Sequence, residues 1–155
     1  MNVYIYSQED MEKMLKDNTF PEHVGVINIG EPLDKREPGY YRTPTTSIDF
    51  VRLHNDVHAI YLYNMEAEEL AENGLTKKTF FPHIERTVHF IKFRHSNEQD
   101  IICYSRHGIS RSAACAAAIL EYYYKKGDSI FSDGKYKPNK LIYNLLLEAL
   151  REIDI

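Results

Sequence analysis

Residues 105 to 112 read Ser-Arg-His-Gly-Ile-Ser-Arg-Ser, placing three hydroxyls, two guanidinium groups and one imidazole within eight positions and no carboxylate among them. Such a set is rich in hydrogen-bond donors and positive charge, which is what an oxyanion requires of its host. A loop that wraps a tetrahedral oxyanion must aim successive backbone N–H groups inward. That calls for a glycine with unusual φ/ψ and a helix N-terminus at the end of the loop. Gly108 and the alanine-rich run after Arg111 meet both requirements. The Arg111 guanidinium can fork onto two oxygens, the Ser110 hydroxyl can bond the side chain at position 105, and Ser112 can cap or brace the helix start.

The flanks of this loop predict a strand over Asp100 to Tyr104 and a helix over Ala113 to Tyr124. Upstream, Val3 to Tyr6 reads as a strand, Gln8 to Lys16 as an amphipathic helix, and Val24 to Ile29 as a strand ending at Gly30-Glu31-Pro32. Ala59 to Tyr63 is a further strand, and Thr79 to Arg94 a helix entered through Pro82. Leu141, Ile142, Leu145, Leu146, Ala149, Leu150 and Ile153 form a closing helical stripe suited to core packing. Strands alternating with helices predict an α/β fold with a mainly parallel central sheet flanked by helices. Ligands of such sheets bind beyond the carboxyl ends of the strands, so the loops after Tyr63 and after Tyr104 should face one pocket. The polar, turn-rich segment from Leu33 to Phe50 reads as a surface excursion within a single domain spanning residues 1–155.

Composition narrows the function classes. With 43% hydrophobic and 27% charged residues the chain is neither disordered nor membrane-like, and its net charge of −4 argues against a general nucleic-acid or acidic-membrane binder. Any anion must be held by a local pocket. Cys103 and Cys115 both sit in apolar stretches, and no signal-peptide pattern or membrane-length apolar run occurs, which predicts a reducing cytoplasmic setting. His54 and His58 lie four apart but lack the glutamate of a zinc-protease helix and adjoin a strand, so no metal and no other cofactor is expected. Gly108-Ile109-Ser110-Arg111-Ser112 lacks the closing glycine of a hydrolase nucleophile elbow, and no Asp/His partners can be placed for it.

The spacing of Ser105, Gly108, Arg111 and Ser112 resembles the phosphate-binding loop of the cysteine-dependent protein tyrosine and dual-specificity phosphatases, Cys-x-x-Gly-x-x-Arg-Ser/Thr. Val24 to Ile29, the helix before the loop strand and Tyr136 to Leu146 are similar to a bacterial or phage branch of dual-specificity-like phosphatases, extending the likeness to most of residues 1 to 150. The resemblance implies that Ser105, Arg106, His107, Gly108, Ile109, Ser110 and Arg111 bind phosphate. It further implies that Ser105, Ser110 and Arg111 belong to the catalytic set. The family's loop lowers the pKa of a cysteine and yields a thiolate nucleophile. Here Ser105 occupies that position, so phosphate binding without phosphoenzyme formation is expected.

A second departure lies upstream. The family's general acid is an aspartate on the loop after the preceding strand, and no Asp occurs between Val57 and Gln99. Among Asn64, Glu66, Glu68, Glu69 and Glu72, the carboxylates Glu66 and Glu68 are the expected proton donors. A leaving group that is already good, such as pyrophosphate or a nucleoside diphosphate, needs little protonation, and the branch resembling RNA 5′-triphosphatases carries a histidine at the position of His107. Arg106 and His107 add cationic potential at the rim. The expected partner is a phosphorylated protein or a small polyanionic phosphate. Two origins for Ser105 remain open: an engineered Cys→Ser trap of a phosphomonoesterase, or a native pseudophosphatase that binds phosphorylated partners.

Overall fold

The computed structural model describes residues 1–32 and 55–154. The expected excursion from Leu33 to Phe50, and His54 of the histidine pair, lie outside the described residues. Four strands are described, β1 (Val3–Ser7), β2 (Gly25–Gly30), β3 (Asp56–Tyr61) and β4 (Ile101–Ser105), all parallel, in the spatial order β1-β4-β2-β3. Both inner strands, β4 and β2, are buried along their whole length. That burial explains their near-continuous apolar sequences, IICYS and GVINIG, where a half-exposed strand would alternate.

Six helices accompany the strands among the described residues: α1 (Gln8–Lys16), α2 (Lys77–Phe80), α3 (Ile84–Ser96), α4 (Arg111–Tyr124), α5 (Asp128–Ser132) and α6 (Lys140–Glu152). Ser7 and Asp10 close a reciprocal capping box at the start of α1, satisfying donors that the first turn leaves unpaired. The mainly parallel α/β architecture is as the alternation of patterns predicts. Two elements differ from expectation by more than two residues. The helix expected over Thr79 to Arg94 is broken into α2 and α3, because Pro82 disfavours helical geometry at Phe81, which sits at φ −120° and ψ 74°. His83 then turns left-handed at φ +57° before α3 begins. The strand expected over Ala59 to Tyr63 starts and ends earlier, because β2 supplies partners from Gly25 opposite Asp56 to Gly30 opposite Tyr61.

The sheet has a core on each face. Ile27, Ile29, Ile101 and Cys103 pack with Val88 and Ile91 of α3, Ile119 of α4, and Ile142, Leu146 and Leu150 of α6. On the other face Val26, Ile102 and Tyr104 meet Met11 of α1. Helix α4 is buried from Arg111 to Ile119, which explains its run of alanines: small side chains let it lie against its neighbours on all sides. Truncating a buried leucine such as Leu146 or Leu150 costs about 2–5 kcal/mol in comparable cores. No helix among the described residues is long and apolar enough to cross a membrane.

Candidate phosphate-binding site

Strand order and register bring the site together. Ser105 ends β4 with Ser7 and Ile29 as its register partners, so the loop of residues 105–111 rises at the carboxyl edge between β1 and β2. Each flank of the loop is tied to the scaffold by its carbonyls. The Gln8 N–H donates to the Arg106 carbonyl at 3.2 Å, Lys137 N–H to the Ile109 carbonyl at 3.0 Å, and Asn139 N–H to the Ser110 carbonyl at 3.2 Å. A trans peptide points its C=O and the next residue's N–H in opposite directions, and no cis bond occurs among the described residues. Carbonyls held outward therefore turn the N–H groups of His107, Ser110 and Arg111 toward the concave side. Gly108 adopts φ +66°, and a Cβ there would lie 2.7 Å from the Ser7 backbone nitrogen. Only glycine fits this close passage beneath β1.

The side chains complete the cradle. Arg111 is 7% exposed, and among the described residues a single nitrogen, Nη1, makes its polar contacts: the Leu62 carbonyl at 2.9 Å, the Gly30 carbonyl at 3.5 Å and Glu31 Oε1 at 2.9 Å. Its Nε and Nη2 keep no partner among the described residues, leaving the planar fork available to two oxygens of an anion. Arg106 and His107 are exposed on the rim, as is Ile109, whose side chain makes no polar contribution. Ser105 is buried, and its Oγ donates to Ser112 Oγ at 2.8 Å. The expected bond between Ser110 and position 105 is thus replaced: Ser112 faces Ser105 from the first turn of α4, and Ser110 Oγ donates instead to Asn64 Oδ1 at 2.9 Å.

The segment after β3 meets the loop through Asn64. Glu66 and Glu68 lie beyond it. The Glu66 backbone N–H donates to Glu69 Oε1 at the entry to the short 3₁₀ turn Ala67–Glu69. Both glutamates line a cavity of about 500 Å³ with Lys77, Lys140, Asn144 and Glu148, and no residue of the 105–111 loop is part of that lining. Both cysteines are buried. Burial pushes the Cys115 thiol up to about 12, and burial together with the neighbouring Cys115 raises Cys103 well above its ordinary value. His58 Nε2 lies 2.8 Å from Thr87 Oγ1, and the His58 ring stacks on Phe90.

Three residues of the site escape the sequence, while Ser112, expected there to cap or brace the helix start, takes a bond to Ser105 that was not expected. Asn139 carried the mark of a helix N-cap but not of a loop brace. Glu31 and Asn64 come from the ends of β2 and β3 and reach the loop only because those strands stand where they do in the sheet.

No family model matches the sequence, and no curated protein matches it. Among solved structures the chain is similar to PTPMT1 in complex with PI(5)P, at 14% identity over 97% of this chain and 91% of that one, with a TM-score of 0.52. It is similar to human DUSP28 at 14% identity, covering 96% and 91% of the two chains, with a TM-score of 0.52. A third likeness is to the human tyrosine phosphatase-like serine/threonine/tyrosine-interacting protein, at 13% identity over 92% and 83%, again with a TM-score of 0.52. The fold is therefore that of the tyrosine and dual-specificity phosphatases.

Proposed function

We propose that this chain is a phosphatase-like domain that holds a phosphoryl group in the loop from Ser105 to Arg111 and, with serine at position 105, does not turn it over. The observation that carries the proposal is the set of outward-tied carbonyls at Arg106, Ile109 and Ser110, which leaves inward N–H groups beside the Nε and Nη2 edge of Arg111, an edge without a partner among the described residues. In a cysteine-bearing parent the same cradle would stabilise a thiolate and a cysteinyl-phosphate formed from a phosphomonoester. A serine hydroxyl has no comparably accessible anion. Its proton is spent on Ser112, and no described base accepts a hydrogen bond from it. The ligand class is a phosphorylated protein or a small polyanionic phosphate, with Arg106 and His107 adding positive charge at the rim. PTPMT1 offers a parallel, since that protein is seen with a phosphoinositide.

One observation favours a second form of this proposal. The side chain that reaches Ser110 from the segment after β3 is the amide of Asn64, while Glu66 and Glu68 line a separate cavity. A native pseudophosphatase needs no acid there, and neither does an enzyme that cleaves a phosphoanhydride. Within the phosphomonoesterase form, Glu66 and Glu68 remain the carboxylates assigned to the leaving group. Their replacement by glutamine should then slow an alkyl phosphate more than an aryl phosphate.

Titration calorimetry with inorganic phosphate or tungstate tests the proposal. The chain should bind either anion, and Arg111→Ala should abolish the heat. Unchanged affinity in the alanine variant would remove the site from this loop.

A further inference from the structure

The hydrogen bonds around Asn64 determine which way its amide faces. The chain of inference starts at the Ile142 backbone N–H, near the start of α6, which can only donate and does so to Asn139 Oδ1 at 2.9 Å. The Asn139 oxygen is thereby assigned, so its Nδ2 is the group that faces the Met65 carbonyl at 2.9 Å and the Asn64 side chain at 3.0 Å. Asn139 is 1% exposed and has no freedom to flip without stranding these partners. The atom of Asn64 that meets Asn139 Nδ2 must then be its oxygen. That oxygen also accepts from Ser110 Oγ, so its two lone pairs are both used. Asn64 Nδ2 is left turned away from this knot. It has no partner among the described residues and stands on an exposed residue beside the loop.

We propose that Asn64 Nδ2 is a ligand contact, donating to an oxygen of the phosphoryl group or of its ester or anhydride bridge. This deepens the phosphate-binding function and rests on it. A carboxyl at the same place could keep both bonds to Ser110 and Asn139 with one oxygen and carry a proton on the other. The amide keeps the bonds, offers a donor at every pH and releases no proton, so it holds a ligand without assisting the departure of a leaving group. Asn64 would therefore set both the affinity of the site and its indifference to the protonation state of this loop.

Sulfate titrations test this, because sulfate stays doubly charged from neutral pH to pH 5. The chain, Arg111→Ala, Asn64→Ala and Asn64→Asp are compared at pH 7.5 and pH 5. Asn64→Ala should bind ~5-fold more weakly, the loss of about one neutral hydrogen bond. Asn64→Asp should bind at least ~10-fold more weakly at pH 7.5, where a carboxylate opposes the dianion, and should recover relative to the parent chain at pH 5. Because aspartate retains both acceptor bonds, its loss of affinity at pH 7.5 reports the charge that replaces Nδ2 and not the loss of the bonds to Ser110 and Asn139. Parent-like binding by Asn64→Asp or Asn64→Ala, with Arg111→Ala still inactive in binding, overturns the inference alone. If the parent chain and Arg111→Ala are alike, the phosphate-binding function fails and the inference falls with it.

Discussion

Ser105 Oγ, at the end of β4, donates to Ser112 Oγ, the second residue of α4, across 2.8 Å in a buried setting. The bond joins the two ends of the 105–111 loop and presents a hydroxyl to whatever atom occupies position 105. With a serine there, two neutral hydroxyls share one proton bridge. With a thiolate there, Ser112 would become a donor to a charge, a stronger interaction than the one it now makes.

Ser105→Cys should therefore hydrolyse a generic aryl phosphate, and thiol alkylation should stop it, while the unaltered chain stays silent. In that background Ser112→Ala removes a charge-assisted hydrogen bond, so its rate should fall ~10-fold or more and the acid limb of the pH–rate profile should move upward by about one unit. Cys103 and Cys115 should stay unmodified under native conditions because both are buried and held protonated. A Ser105→Cys protein that forms no phosphoenzyme and releases no phosphate from aryl phosphates, phosphopeptides or nucleoside triphosphates would favour the native pseudophosphatase.

Gly108→Ala should lower stability and weaken phosphate binding together. The new Cβ meets backbone atoms of Tyr6 and Ser7 within 3 Å at a positive φ, a strain of about 1–3 kcal/mol. For a chain of this size that amounts to a drop in Tm of ~3–10 °C. Gly74→Ala is the control, since its φ is +68° but nothing lies within 4 Å, so it should lose less stability and no anion affinity. Equal effects of the two substitutions would show that contact with β1 is not what shapes the loop.

His58 should make the fold sensitive to acid. Burial and the nearby Arg86 lower its pKa, so the unfolded chain takes up a proton before the folded one does. Stability from this source is complete above an unfolded-state pKa of about 6.5 and is lost as pH falls from there through the lower folded value. His58→Gln can still bond Thr87 but does not titrate, so its Tm should fall less between pH 7.5 and pH 5.5 than that of the parent chain. Parallel Tm profiles for the two proteins would rule out this contribution.

Much of the framework was legible because local rules decide it. The apolar runs of β2 and β4, the helix from Gln8 to Lys16 and the closing stripe on α6 each carry their own periodicity. The loop could be read for the same reason: a glycine, an arginine and a helix start at short spacing make a cradle wherever the chain goes. Pro82 shows the limit. It could be read as an entrance or as a break, and the left-handed turn at His83 decides for a break.

Everything that arrives from a distant strand was settled by the tertiary structure. Glu31 and Arg111 are far apart in sequence, and Asn64 is separated from Ser110 by the helices α2 and α3 and by β4. The parallel order β1-β4-β2-β3 sets the ends of β2 and β3 beside the end of β4, and it is this placement that gives Arg111 a carboxylate and Ser110 an amide. Composition supplied four glutamates as candidate acids after β3, and nothing in their spacing could show that the residue to reach the loop would be the asparagine before them. A sequence specifies such a neighbour only through the packing of the whole sheet, because a contact across it depends on the register and orientation of every strand between.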